Sequence, residues 1–280
     1  MLEPGRTLGG YRVEAMLGEG AMGVVYRATR VEDGTLVALK TLRSELSGND
    51  TFRRRFLHEA RSASEVKHRH LVPILEAGEA DGQPYMAVRF LTGGSLDDAL
   101  RSRGPFAMTD SVRVVAQVAS ALDALHQHGI IHRDVKAANV LLEEDGSACL
   151  TDFGLAKGAG YTALTRPGQG LGTFDYMAPE IISGKAAGPA ADIYALGCLA
   201  YELLTGGTPF AGKALLQLAM AHLDEDPPPL TGRAPGITPE LSWAFLQALA
   251  KDPATRPPTA TAYAAIVGMA ARTAAAGGAE

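Results

Sequence analysis

The side chains best suited to chemistry are concentrated in two short stretches near the middle of the chain. In "IIHRDVKAANVLL", Asp134, Lys136 and Asn139 fall within six residues, and Asp152 follows in "ACLTDFGLAK". Asp134 is a carboxylate that can act as a base, and Lys136 is a nearby cation. Asn139 and Asp152 offer hard oxygen ligands, which suit Mg²⁺ bound to phosphates. The alternative, a hydrophilic turn between strands, explains poorly why these residues occur together inside apolar flanks.

A glycine-rich loop near the start supplies a second candidate phosphate contact. In "LGEGAMGVVYRA", Gly18, Gly20 and Gly23 have a G-x-G-x-x-G spacing, which serves dinucleotide-binding folds and protein kinases and also occurs in ordinary turns. The flanks "YRVEAML" and "GVVYRAT" both have strand character, and residues 35–42 predict a third strand. The loop therefore joins strands in a hairpin, which argues against a Rossmann fold. The G-K-[ST] ending of a P-loop is missing as well.

Lys40 ends the third predicted strand, and a helix follows in "DTFRRRFLHEARSASEVKH". Phe52, Phe56 and Ala63 recur there at helical spacing, which places Glu59 on or beside the apolar face. A lone carboxylate is costly in such a position, and a lysine partner would remove the cost. We therefore predict a pair between Lys40 and Glu59, with Lys40 reaching the α- and β-phosphates of a nucleotide. Taken alone, Lys40 would be interpreted as an exposed strand lysine.

Composition limits the class of protein that positions these groups. The 280 residues are 46% hydrophobic, enough for a sizeable core or two lobes, and the net charge of −5 argues against a general nucleic-acid binder. Cys149 and Cys198 lie in apolar segments and are predicted to be buried free thiols in a reducing compartment.

No apolar run approaches the roughly 18 residues that span a bilayer, and the first residues lack the apolar region of a signal peptide. A cytoplasmic location is expected. Residues 269–280 are predicted to form a flexible tail or linker.

Taken in order, these motifs resemble a eukaryotic-type protein kinase domain. The set comprises LGEGAMGVV, VALK, the helix residue Glu59, HRDVKAAN, DFG, APE at residues 178–180, Asp192 in "ADIYALG" and Arg256 in "KDPATRP". An ordered set is far more specific than any single motif. The resemblance covers residues 11–268 and is strongest to bacterial Hanks-type serine/threonine kinases. Such kinases often form the cytoplasmic part of membrane receptors.

The resemblance implies an α+β fold, the bilobal protein kinase fold. A small β-rich lobe with one helix would occupy residues 11–90, and a larger, mainly helical lobe would occupy residues 91–268, with ATP between them. In the family, Asp134 accepts the substrate hydroxyl proton and Lys136 neutralises the transferred group. Asn139 and Asp152 hold Mg²⁺ or, in its place, Mn²⁺.

The resemblance also implies a set of nucleotide-binding residues drawn from both lobes. They are Leu17, Gly18, Glu19, Gly20, Gly23, Val25, Ala38, Lys40, Glu59, Val88, Arg89, Leu91, Ser95 and Leu141. The glycines cover the phosphates, and Lys40 is held by Glu59. Val25, Ala38 and Leu141 match positions that sandwich adenine, although plain core packing is equally compatible with the sequence.

At the hinge, Val88 matches the gatekeeper position, and Arg89 and Leu91 would offer backbone groups to the adenine edge. Arg89 departs from the acidic residue common there, but little effect on ATP binding is expected because the contact uses the backbone. Ser95 is expected to face the ribose.

Other matching residues have structural roles in the family. Glu180 and Arg256 resemble a buried ion pair beneath the activation segment, and Asp192 resembles the anchor of the catalytic-loop backbone. His132 is interpreted as a packed core histidine. The histidines within residues 68–70 are predicted to lie in a turn, since no third metal ligand is apparent.

The acceptor class is indicated by Lys136, which lies two residues after Asp134 as in serine/threonine kinases, and by "GT" before APE. Thr173 is therefore expected to contact Asp134 and Lys136 in the cleft. The segment between DFG and APE shows no apolar periodicity. Protein substrates are expected, with a non-catalytic scaffold and a small-molecule kinase as the alternative classes.

Regulation by phosphorylation is expected in the same segment. Arg133 would be costly as a buried cation unless an anion pairs with it, and a phosphothreonine supplies about −1.5 to −2 charges. Thr165 is the first candidate and Thr162 the second, both through autophosphorylation between molecules. A weak homodimer through the small lobes is also expected, because similar bacterial kinases pair in this way.

Overall fold

A six-stranded antiparallel sheet forms the N-terminal lobe in the computed structural model, which describes residues 1–20, 23–152 and 171–277. The strands pair in the order β1-β2-β3-β4-β6-β5. Their bounds are β1 Thr7–Leu8, β2 Tyr11–Glu19, β3 Gly23–Arg30, β4 Leu36–Leu42, β5 Ile74–Ala80 and β6 Gln83–Arg89. Gly18 lies opposite Val25 across the β2–β3 pair. The predicted hairpin around the glycine loop is therefore confirmed.

Two helices accompany this sheet, where the sequence predicted one. Helix α1, Ser44–Ser47, is a single turn, and α2 spans Asp50–Ser64. Asn49 caps α2 by accepting backbone N–H bonds from its first turn. The apolar spacing buries Phe56 and Ala60 against the sheet, as the helical period predicts. The additional turn α1 lies in "SELS", which has no apolar periodicity to reveal it.

Most of the remaining chain is helical. The α-helices are α3 Leu96–Arg103, α4 Met108–Gln127, α5 Pro179–Ile182, α6 Pro189–Thr205, α7 Leu215–Asp224, α8 Pro239–Leu246 and α9 Ala260–Gly277. Short 3₁₀ helices occupy Ala137–Asn139, Leu171–Tyr176, Gln247–Leu249 and Pro253–Thr255. Helix α6 is buried along nearly its whole length and forms the centre of the lobe's core. Most of its side chains are apolar because the helix has no solvent face.

A small hairpin connects the two lobes. Strands β7, Val140–Leu142, and β8, Ala148–Leu150, pair with each other. Leu71, which precedes β5, bridges Leu150 in parallel. The chain that enters β5 is therefore attached to this hairpin, which directly follows the polar stretch at residues 130–139.

The C-terminal residues differ from the expected flexible tail. Helix α9 continues to Gly277, so residues 269–277 are helical. The composition that suggested a linker is rich in alanine, which is also the best helix former. Ala270, Ala271 and Ala274 pack against the main core, and this contact stabilises the extension. Among the described residues, no helix is both long enough and apolar enough to cross a membrane.

Candidate active site

The candidate catalytic loop, residues 130–139, is anchored by Asp192 on the buried helix α6. Its two carboxylate oxygens accept hydrogen bonds from the backbone N–H groups of His132 and Arg133, both at 2.8 Å. Arg133 has a φ of +65°, a strained conformation for a non-glycine residue that the surrounding contacts must hold. The predicted role of Asp192 as the backbone anchor is confirmed.

His132 is fully buried and packs beneath the same loop. Its Nε2 lies 2.9 Å from the carbonyl oxygen of Thr151. Burial lowers the pKa of His132 because the charged imidazolium would lose its solvation. A side chain in this position supports the loop, as the sequence predicted.

Three polar side chains converge above this anchor. Lys136 Nζ donates to Asp134 Oδ2 at 3.0 Å, and Asn139 Nδ2 donates to the same oxygen at 3.0 Å and to the Asp134 backbone carbonyl at 2.7 Å. Between them, Val135 and Ala137 are buried in the main core. The alternation of buried and partly exposed residues directs the polar side chains to one side of the loop. The structure therefore brings together the base, the cation and the amide that the sequence singled out.

The groups expected to hold a metal are hard oxygen donors. Asn139 donates through its amide nitrogen to Asp134, which leaves Oδ1 as the atom available to a cation. Asp152 has a φ of +61° and is partly exposed. Within the described ranges, no group of three or more His, Cys, Asp or Glu side chains is arranged around a metal position. The donor set fits a cation that takes its other ligands from nucleotide phosphates and water.

The glycine loop has two kinds of glycine. A Cβ on Gly23 would lie 2.3 Å from the Thr41 carbonyl oxygen, so close backbone packing requires glycine there. A Cβ on Gly18 or Gly20 would meet no atom of the described residues closer than 3.9 Å. Packing against that part of the chain does not explain those two glycines, and the space beside them fits a ligand that approaches the backbone.

Lys40 and Glu59 do not form the expected pair. Among the described residues, Lys40 Nζ contacts Asp152 Oδ1 at 2.9 Å, and Glu59 Oε1 accepts from Arg55 Nε at 2.8 Å. The sequence argument correctly placed Glu59 beside the apolar face, since its Oε2 atom is buried. It missed Arg55, which lies four residues earlier on the same helix face and supplies the cation locally.

Two of the three adenine-contact candidates, Val25 and Ala38, lie on one face of the six-stranded sheet. Val24 and Leu39 point into the buried core of the sheet. Because side chains alternate along a strand, Val25, Ala38 and Lys40 project from the opposite face, where they are partly exposed. This placement supports a ligand-facing role.

The hinge region is partly buried. Leu91 packs with Val72 and Cys149, and Val88 and Leu141 border the same cluster. The expected backbone contacts of Arg89 and Leu91 with adenine remain predictions. So does the proposed ribose contact of Ser95, whose side chain caps α3 in a capping box with Asp98. That cap accounts for the serine without a ligand.

Residues 176–180, which end in APE, are fastened to the helical core. Arg256 forms two hydrogen bonds with Glu180, at 2.7 and 2.8 Å, in a buried ion pair that confirms the sequence prediction. The sequence did not reveal that the Tyr176 hydroxyl donates to Glu202 on α6. Burial raises the pKa of Glu202 to about 7. No motif signals this contact, because Tyr176 and Glu202 lie 26 residues apart.

The regulatory prediction assumed that Arg133 is buried, and the structure contradicts this premise. The Arg133 side chain is exposed, so the cost of a buried cation does not arise. Thr162 and Thr165 lie outside the described residues, and so does the side chain of Thr173.

The remaining polar candidates have structural explanations. His70 Nδ1 contacts the Ala148 carbonyl at 2.9 Å in the predicted turn. Cys149 and Cys198 are buried free thiols, as expected.

This combination of a curled sheet, a helical lobe and a catalytic loop between them defines a protein kinase domain. Residues 11–264 match the protein kinase domain family. The chain belongs to this family, which uses ATP and a divalent metal in general. The predicted family and the bilobal fold are confirmed.

Individual relatives are bacterial. The chain is 41% identical over 261 residues to the serine/threonine-protein kinase PknJ of Mycobacterium tuberculosis, an alignment that covers 91% of this chain and 44% of PknJ. It is 39% identical over 253 residues to PknD of the same species, covering 90% of this chain and 38% of PknD. The crystal structure of the M. tuberculosis PknI kinase domain is 32% identical, with a TM-score of 0.77 over 97% of this chain and 100% of that chain. The chain spans less than half the length of these curated relatives.

Proposed function

We propose that this domain transfers the γ-phosphoryl group of ATP to serine or threonine hydroxyls of proteins, with Mg²⁺ as the metal. The convergence of Lys136 and Asn139 on the Asp134 carboxylate carries this proposal. Asp134 is the group positioned to accept the proton of the acceptor hydroxyl and to orient that oxygen. Lys136, 3.0 Å away, neutralises charge on the group in transfer.

The metal would supply charge neutralisation along the phosphates, held by Asn139 and Asp152. Lys40, which contacts Asp152 in this structure, would bind the α- and β-phosphates beside that carboxylate. Glycines 18 and 20 leave room for phosphates beside the β2–β3 loop. These roles follow the family pattern residue by residue.

The acceptor class rests on Lys136 and on the "GT" that precedes APE. The names of the curated relatives, which are serine/threonine-protein kinases, support it. The buried free thiols support a reducing, cytoplasmic location.

The direct test uses purified protein, labelled Mg-ATP and a generic basic protein, followed by phosphoamino-acid analysis. We expect label on serine and threonine of the added protein. Asp134→Asn should abolish most transfer, whereas Asp110→Asn, which removes an exposed carboxylate on α4, should not. Nucleotide binding without transfer would indicate a scaffold. Transfer only to small molecules would indicate a small-molecule kinase.

Regulation by autophosphorylation at Thr165, and secondarily at Thr162, is a further part of the proposal. It now rests on the family resemblance, since Arg133 is exposed. Intact mass and peptide mapping of the wild type and of Asp134→Asn should find loop phosphate only on the active protein. Full activity in a variant with both threonines changed to alanine would overturn this part.

A weak dimer through the small lobes is also proposed. Val31 and Leu75 are apolar side chains of this lobe that remain 60% and 40% exposed. Ultracentrifugation over a range of concentrations, together with the rate per molecule, tests it. A strict monomer whose rate is independent of dilution would contradict the dimer.

A further inference from the structure

Arg89, at the hinge, has a side-chain partner that the sequence pattern does not suggest. It is the last residue of β6, where its Cα lies opposite Val37 of β4, and its N–H donates to the Pro73 carbonyl at 3.0 Å. Its backbone therefore belongs to the small-lobe sheet. Its guanidinium leaves that sheet and donates through Nη2 to Glu143 Oε1.

Glu143 belongs to the other lobe. It follows β7 directly, and its N–H donates to the Ser147 carbonyl within the β7–β8 hairpin at 2.9 Å. The hairpin is closely packed on the chain that leaves the hinge. A Cβ on Gly93 would lie 2.4 Å from the Leu142 carbonyl oxygen, and Leu142 N–H donates to the Gly94 carbonyl at 2.9 Å. The ion pair thus links the end of the sheet to a closely packed part of the helical lobe.

The pair lies beside an open cavity of about 500 Å³ behind the hinge. Thr92 Oγ1 also donates to Glu144 Oε1 at 3.2 Å, and both residues line this cavity. Asp145 and Arg69 add one charge of each sign to the lining. The hinge side of the lining carries the cation of Arg89 and the hairpin side carries three carboxylates, so attraction between opposite charges favours contact between the hinge and the hairpin.

We propose that Arg89 and Glu143 are positioning residues that brace the hinge from behind and hold its backbone in register for adenine. The inference rests on the proposed ATP-binding function. Arg89 replaces the acidic residue common at this position, and an acidic side chain there would repel Glu143. The side chains of Arg89 and Glu143 are 44% and 29% exposed, so the effect is modest. Partly exposed pairs of this kind change equilibria by about two- to fivefold.

Charge reversal and rescue test the brace. Arg89→Glu, Glu143→Arg and the double variant are compared with the wild type for the Kd of Mg-ADP by calorimetry and for KM and kcat with ATP. We expect each single variant to raise Kd and KM together by about two- to fivefold, with kcat within twofold. The double variant should restore both values, and 0.5 M salt should reduce the difference. Arg30→Glu, which breaks an exposed pair with Asp33 inside one lobe, is the matched control.

Unchanged Kd in both single variants would overturn the brace, and so would a loss that the double variant fails to rescue. A rise in Kd of the same size in the Arg30 control would also overturn it. Wild-type protein that binds no nucleotide would overturn the proposed function and the brace with it. Wild-type protein that binds and transfers normally, beside single variants with identical constants, would overturn the brace alone.

Discussion

The two halves of the candidate active site differ in how completely they are assembled. In the helical lobe, Asp134, Lys136 and Asn139 already contact one another at 3.0 Å or less. In the small lobe, the two groups expected to pair have other partners, Lys40 with Asp152 and Glu59 with Arg55. The first half lies on one loop anchored to a buried helix. The second half needs a strand and a helix to take one particular relative position.

The contact with Arg55 satisfies the Glu59 carboxylate only in part. Its Oε1 atom is paired with Arg55, but Oε2 is buried without a hydrogen-bond partner among the described residues. A buried unsatisfied polar atom costs about 1–3 kcal/mol. Contact with Lys40 would recover part of that cost, so we expect the contact of Glu59 with Arg55 to be readily exchanged for one with Lys40.

The largest effect should come from the assembled half. Asp134→Asn should leave the fold and ATP binding intact while lowering the transfer rate by roughly 10²–10⁴, the usual range for a positioned base. Single-turnover rates, measured beside thermal unfolding and calorimetry with ATP, check this. A rate within threefold of the wild type would show that Asp134 is not the base.

Lys40→Met should also cripple transfer, by roughly 10²–10³, because a cation on the phosphates is lost. The sequence alone predicted an accompanying loss of stability, since Glu59 would lose its partner. The structure changes that expectation: Glu59 keeps Arg55, and the partly exposed pair with Asp152 is worth about 0–1 kcal/mol. Urea unfolding measures the difference, and a loss above about 2 kcal/mol would indicate that Lys40 and Glu59 pair in solution.

The same comparison shows which features can be predicted from sequence. The hairpin, helix α2 and the catalytic loop follow from local periodicity and turn residues, which depend on neighbours in the chain. The partner of Glu59 cannot be predicted in this way. Two cations compete for one carboxylate, and the choice depends on how α2 packs against the sheet. The ion pair of Arg89 with Glu143 was missed for a related reason. Its members are 54 residues apart and match no motif.

A further prediction tests how firmly Tyr176, just before APE, is fixed to helix α6. Burial raises the pKa of Glu202 to about 7, whereas the group's ordinary value is 4.5. The folded protein therefore retains a proton that the unfolded chain releases. The corresponding stability is fully present below about pH 4.5 and is lost as the pH rises through 7.

Glu202→Gln removes this dependence and keeps an acceptor for the Tyr176 hydroxyl. The free energy of unfolding of the variant, relative to wild type, should rise by about 1–3 kcal/mol between pH 5 and pH 8. Urea titrations at both pH values measure it, with Glu225→Gln, an exposed residue directly after α7, as the control. Parallel pH curves for wild type and Glu202→Gln would contradict a buried, protonated Glu202.

The smallest expected effect tests the unassembled half directly. Arg55→Ala removes the local partner of Glu59, and we expect Lys40 to take its place. Ion pairs four residues apart on a helix are worth about 0.3–0.5 kcal/mol, and partial burial raises this to about 1 kcal/mol. Activity should therefore rise by about two- to fivefold in protein that carries no loop phosphate. Arg54→Ala, on the exposed side of the same helix, should leave the rate unchanged. A fall in activity as large as that of Glu59→Ala would mean that Arg55 supports the active arrangement instead of competing with it.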